Sequence, residues 1–157
     1  LRGAHRNAGE IGHVPMVVNG RPCSCGNRGC LERYLSLEAF GRRAPIIGRE
    51  GWIAEAAPLL RNAVVTIENL FDPETIVLGG MAEEDLLRDL VAAAAPLPTS
   101  VSDRADRPAP RLVCSANGKD AVLRGAASLA VSGALSPRFG TLFDTGHDPI
   151  FGRSNVA

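Results

Sequence analysis

The 157-residue chain is 45% apolar with a formal net charge of zero, enough core-forming sequence for one soluble globular domain. Lys119 is its only lysine, so it has no basic run of the kind that tracks a phosphate backbone, and nothing in it reads as a DNA-binding surface by itself. No apolar run approaches the roughly 20 residues of a membrane helix, and Leu1-Arg2-Gly3-Ala4-His5 lacks the layout of a signal peptide, so no membrane contact and a cytoplasmic location are the expectation. Opening without methionine, the sequence reads as a fragment of a larger protein.

From Arg2 to Cys30 the chain is rich in Gly, Asn, His and Cys, with one short apolar run at Val14–Val18 that suits a strand. Leu31, Leu35, Leu37 and Phe40 fall near one face of a helix expected over Leu31–Arg43. A stronger helix is expected from about Trp52 to Leu70, where Ile53, Ala56, Leu60, Val64, Ile67 and Leu70 recur at spacings of three and four, and Asp72-Pro73 ends it. Thr75-Ile76-Val77-Leu78, closed by Gly79-Gly80, has the pattern of a buried strand running into a tight turn. A helix is expected from about Ala82 to Ala95, an exposed loop from Pro96 to Pro110 with its four prolines, a strand over Arg111–Ser115, and a helix over Asp120–Gly133 with Val122, Leu123, Ala126, Ala127 and Leu129–Val131 packing inward. Strands alternating with helices imply an α/β sheet, and residues 137–157 read as an irregular tail.

Three of the four cysteines fall within eight positions, which is metal-ligand crowding more than a disulfide framework. His13, Cys23, Cys25 and Cys30 supply one imidazole and three thiolates, the donor set that tetrahedral structural zinc prefers. A closed shell of four leaves no open position for an activated water, so such a metal holds a loop together and performs no hydrolysis. Gly26 and Gly29 allow the tight turn this needs. The alternative is three ordinary reduced thiols and a surface histidine.

Ala8-Gly9-Glu10-Ile11-Gly12-His13 followed by Cys23-Ser24-Cys25-Gly26-Asn27-Arg28-Gly29-Cys30-Leu31-Glu32 closely resembles the two-part signature of the ROK family (repressor, open reading frame, kinase). Leu70–Gly80 and Gly125–Ala130 resemble two further family segments. The resemblance implies an actin-like, ribonuclease-H-like α/β fold, of which residues 1–136 would be the C-terminal sugar-binding and zinc part. It places Glu10, His13 and Glu32 at the hydroxyls of a sugar or sugar phosphate, with Gly79 and Gly80 at a nucleotide only if the protein is a kinase. The residue types suit this: carboxylates accept charge-assisted hydrogen bonds from hydroxyls, and an imidazole fixed on a metal through one nitrogen can donate through the other. On their own residues, Glu32 equally fits the positive end of a helix, Glu10 a solvated loop, and Gly79-Gly80 a plain turn.

Family members are sugar kinases or sugar-responsive transcription regulators, and the kinases' catalytic aspartate and phosphate loop have no counterpart in this sequence. Where similar kinases tend to read Ala-Gly before the late helix, the chain has Ala121-Val122, whose added volume would crowd ATP if it lined a nucleotide cleft; the alternative is that Val122 packs in the core. That departure and the tail favour a regulator, dimeric by resemblance and contacting DNA only through an N-terminal domain not included here. The alternative is the C-terminal part of a sugar kinase using ATP and magnesium, and a third reading is a zinc-stapled interaction module without ligand.

Overall fold

The computed structural model describes residues 3–116 and 118–135. They fall into two units, one ending at Lys119 and one beginning at Asp120. The tail expected to be irregular, residues 137–157, lies outside the described residues.

The first unit opens with a loop that carries a 3-10 turn at Ile11–His13 and a second at Leu31–Arg33. The strand expected at Val14–Val18 does not form. Pro15, which has no N–H, makes only an isolated bridge to Cys30, and the amides of Met16 and Val17 both donate to the Gly29 carbonyl (2.8 and 3.1 Å), closing the loop on itself. Nor does the next helix begin at Leu31. Ser36 sets its start by accepting the Ala39 N–H on its hydroxyl at 3.1 Å, and helix α1 (Leu37–Phe71) follows.

Two helices were expected where α1 stands, and the chain does break once, at Gly48 (φ 78°, ψ 167°). Pro58 passes through the second half because it and Ala54, whose carbonyl it leaves without a helical donor, both face solvent. Asp72 ends the helix in the left-handed conformation (φ 43°), its N–H bonded to the Glu68 carbonyl at 2.9 Å. Trp52, Ile53, Ala56, Leu60 and Val64 form the buried stripe at the expected spacing.

Strand β1 (Ile76–Leu78), helix α2 (Glu84–Ala93) and strand β2 (Leu112–Cys114) make one β-α-β unit, the strands parallel with Ile76 opposite Leu112 and Leu78 opposite Cys114. Leu86 and Leu90 of α2, together with Leu112, close the core over the α1 stripe. Arg49 binds Asp85 and Asp89 on α2, and Arg61 donates to the Ala94 and Ala95 carbonyls at the helix's end. Behind the sheet, the fully buried Glu68 takes a two-pronged contact from Arg111, tying the end of α1 to the start of β2.

In the second unit, helix α3 (Ala121–Leu135) forms as expected, but Val122, Leu123, Leu129 and Val131 are exposed, not packed inward. Among the described residues no helix is long and apolar enough to cross a membrane.

Candidate functional site

Residues 11–34 fold back so that the chain arrives twice at one point. Cys23 lies in a tight turn, its N–H bonded to the Asn27 carbonyl (2.9 Å) while its own carbonyl accepts from Gly26 (3.1 Å). Gly26 (φ 92°) makes that turn possible. Gly29 (φ 76°) is demanded more strongly, since a Cβ there would lie 1.8 Å from the Val17 carbonyl oxygen. Buried Cys30 then follows, held by the Leu31 N–H to the Val14 carbonyl at 3.0 Å.

This brings together His13, Cys23, Cys25 and Cys30, whose donor atoms all lie within 4.8 Å of one another. A zinc–thiolate bond of about 2.3 Å puts two sulfurs of a tetrahedron roughly 3.8 Å apart. The Cys25 and Cys30 sulfurs stand at 3.7 Å, and Cys23 Sγ is 3.6 Å from His13 Nδ1, so the four fit one tetrahedral ion. The three cysteines are free thiols. Their surroundings differ: backbone N–H donation, foremost at Asn27, lowers Cys25 to about 7, burial pushes Cys30 up to about 12, and the neighbouring Glu32 carboxylate raises Cys23. A bound cation would override these differences by holding every thiol as thiolate.

Glu32 joins the cluster. Its Oε1 accepts from Cys23 Sγ at 2.9 Å and stands 3.5 Å from His13 Nδ1. Glu32 lies in the middle of the second 3-10 turn, where the sequence pattern suggested a helix start. Glu10 is set apart: it is exposed, its carbonyl accepts the His13 N–H, and its side chain helps line a cavity of about 430 Å³ with Ile11, Val14, Ile67, Leu70 and Phe71. Gly79 and Gly80 sit beyond β1 on a second cavity of about 170 Å³, also lined by Trp52, Leu78, Met81 and Leu86. A Cβ at Gly79 would stand 2.9 Å from that of Ser115, so this glycine is fixed by packing against β2, and Gly80 has φ 142°.

Sequence reasoning missed the residues that hold the loop from outside. Arg21 stacks its guanidinium on the Tyr34 ring (4.6 Å to the centroid), donates to the Arg33 carbonyl at 3.0 Å and reaches Glu55 of α1 at 3.4 Å. Arg43 holds the same Glu55 carboxylate, which lowers its pKa. No periodicity links positions 21, 34, 43 and 55; the one available signal was a lone tyrosine two residues after Glu32.

A family model described as the ROK family matches residues 1–55. The chain is 32% identical over 97 residues to the kanosamine kinase of Amycolatopsis mediterranei, which covers 50% of this chain and 32% of that protein. It is 31% identical over 113 residues to a putative xylose repressor of a Caldicellulosiruptor strain, covering 52% of this chain and 28% of the repressor. Among solved structures, the ROK hexokinase from Thermus thermophilus superposes with a TM-score of 0.59 at 27% identity, over 84% of this chain and 51% of the hexokinase. The chain thus spans about a third of the length of these curated relatives, and both a regulator and kinases stand among the proteins it resembles.

Proposed function

We propose that this chain, whose residues 1–55 match the ROK family model, is the sugar-recognising part of a ROK transcriptional regulator, organised by one structural zinc ion on His13, Cys23, Cys25 and Cys30. The observation that carries this reading is the convergence of Glu32 with the four metal donors. Zinc supplies no reaction here. It fixes the loop, and with His13 Nδ1 turned toward the thiols the other ring nitrogen is left to donate to a ligand oxygen. Glu32 is the carboxylate that would accept from sugar hydroxyls beside the cluster, whereas the exposed Glu10, on a separate cavity, joins it only as the resemblance implies.

Two features support a regulator. The resemblance implies that Val122 puts a branched side chain where similar kinases carry a small residue, and among the described residues no lysine or arginine lines the cavity beside Gly79 and Gly80, where phosphate would call for a cation or backbone donors. In this reading the sugar favours one of two conformations of a cytoplasmic homodimer and so shifts the DNA affinity of an N-terminal domain, by no more than its own differential binding. The second reading, the C-terminal part of a sugar kinase with Gly79 and Gly80 at ATP and magnesium, is favoured by the likeness to the kanosamine kinase and the hexokinase.

Calorimetric titration of the zinc-loaded full-length protein with D-glucose, N-acetyl-D-glucosamine and D-xylose, with and without magnesium-ATP and with ADP measured in parallel, separates them. Binding of at least one sugar without ADP formation is expected. ADP formed with one sugar makes the protein a kinase, and binding of none sinks the sugar site.

A further inference from the structure

The carboxylate that the proposed function puts at the sugar is carried on a short 3-10 turn, Leu31–Arg33, and a turn this short has little stiffness of its own. Its position must be fixed by what grips its two ends. At its start the chain is held at Cys30, whose carbonyl takes the Arg33 N–H at 3.0 Å. At its end stands Tyr34, and Tyr34 is gripped from three directions.

Its phenolic oxygen accepts the backbone N–H of Arg21 at 2.9 Å. Its ring carries the Arg21 guanidinium on one face. Its carbonyl accepts from Trp52 Nε1 at 3.1 Å, which anchors it to the buried stripe of α1. Arg21 in turn is two residues before Cys23, and its own carbonyl accepts the N–H of Gly29, the residue before Cys30, at 2.8 Å. The Tyr34 hydroxyl therefore touches the piece of backbone that joins both arms of the metal loop. Gly20 leaves the space it occupies: a Cβ there would lie 2.4 Å from the hydroxyl oxygen.

We infer that Tyr34 is a positioning residue for sugar recognition: its hydroxyl locks the metal loop to the turn bearing Glu32, so that the distance between this carboxylate and His13 is set by a contact independent of the metal. The inference rests on the proposed sugar site and adds to it a residue outside the metal and sugar-contacting sets. The metal draws in His13, Cys23, Cys25 and Cys30; none of these fixes the far end of the turn. The Tyr34–Arg21 contact does, and it ties that end to helix α1 through Trp52 and Glu55.

The test is Tyr34→Phe in the zinc-loaded full-length protein, with Tyr34→Leu as a second variant that removes the ring together with the hydroxyl. A single net hydrogen bond of this kind changes an equilibrium about three- to tenfold. Both variants are expected to keep one zinc per chain, to bind the preferred sugar of D-glucose, N-acetyl-D-glucosamine and D-xylose at least that much more weakly at 25 °C, and to discriminate less among the three, because a displaced carboxylate no longer selects one hydroxyl geometry. Unchanged affinity and selectivity with only a lower Tm would make Tyr34 a plain structural residue and overturn the inference. Loss of zinc in step with affinity would overturn it too, by showing that the contact acts through the metal. A wild-type protein that binds none of the sugars fails the functional reading itself, and is seen as such before either variant is measured.

Discussion

The metal loop and the helix-sheet core of the first unit are held together by different physics. Between Ile11 and Tyr34 the buried apolar residues are Cys30 and Leu31, and the remaining order comes from thiol–imidazole proximity, glycine-dependent turns and the contacts of Arg21. From Trp52 to Leu112 a continuous set of buried side chains, Trp52, Ala56, Leu60, Val64, Leu86, Leu90 and Leu112, does the work, and polar contacts only tie the ends. Burial of about 25 cal/mol per Å² of apolar surface can support the second arrangement unaided, whereas the first exposes too much of its surface to do so. On the proposed function, a metal bound in the first region would be a folding element as well as a scaffold for Glu32, with the core as the platform it stands on.

Removing the metal should separate the two regions most sharply. Chelation of the zinc-loaded protein is expected to abolish hydrogen-exchange protection at Gly29 and Leu31 while that of Val64 and Leu90 survives, since a structural zinc contributes on the order of 10 kcal/mol to a loop that cannot fold alone. Simultaneous loss at Val64 would mean that loop and core fold as one cooperative unit and that the contrast drawn here is wrong.

The next largest effect belongs to Glu68, the one buried carboxylate among the described residues. Glu68→Ala takes the buried carboxylate from between Arg111 and the largely buried Arg107, which keep only Asp103 and backbone carbonyls, and should cost about 3 kcal/mol in urea unfolding, with zinc retained. The same pair gives a pH dependence. Arg111 first, against the opposing effect of burial, holds the Glu68 carboxyl below the ordinary glutamate value, so its contribution is fully present above the unfolded pKa of about 4.3 and is lost as pH falls below that through the folded value. Unfolding midpoints measured between about pH 6 and pH 3 should fall for the wild type and flatten in Glu68→Ala, and parallel curves would assign acid sensitivity to other groups.

Smallest is the junction between the two regions. Ser36→Ala removes the hydroxyl that caps α1 next to the metal loop and should cost about 1 kcal/mol without changing zinc content. A larger loss, or loss of zinc, would show that the cap belongs to the loop's support and not only to the helix.

Several parts of this molecule were legible because a single residue type carries them. Cysteine and histidine pointed to a common cluster by identity and spacing, and the structure brings the donor atoms of the named four within 4.8 Å of one another. The α1 stripe and the Ile76–Leu78 strand follow from period and β-branching, although the strand is not the buried one its composition suggested: Ile76 and Leu78 are half-buried and Val77 is exposed. Local pattern failed where a non-local bond decided. Val14–Val18 has strand composition but spends its amides on Gly29, and Leu31–Arg33 has helix periodicity but ends in a turn because Ser36 caps the helix later. The family likeness of residues 1–55 was likewise legible, since it lies in a contiguous motif.

What the sequence determined by itself, then, is the donor set, the apolar faces and the alternation of strand and helix, all properties of residue type and of neighbours a few positions apart. Only the tertiary structure decided that Glu32 stands against Cys23 and His13, that Glu10 lines a separate cavity, and that Tyr34 and Arg21 clamp the loop to Glu55 and Trp52. Those contacts join residues 9 to 34 positions apart through side chains with no periodic signature, and the geometry that selects them exists once the loop has closed on the core.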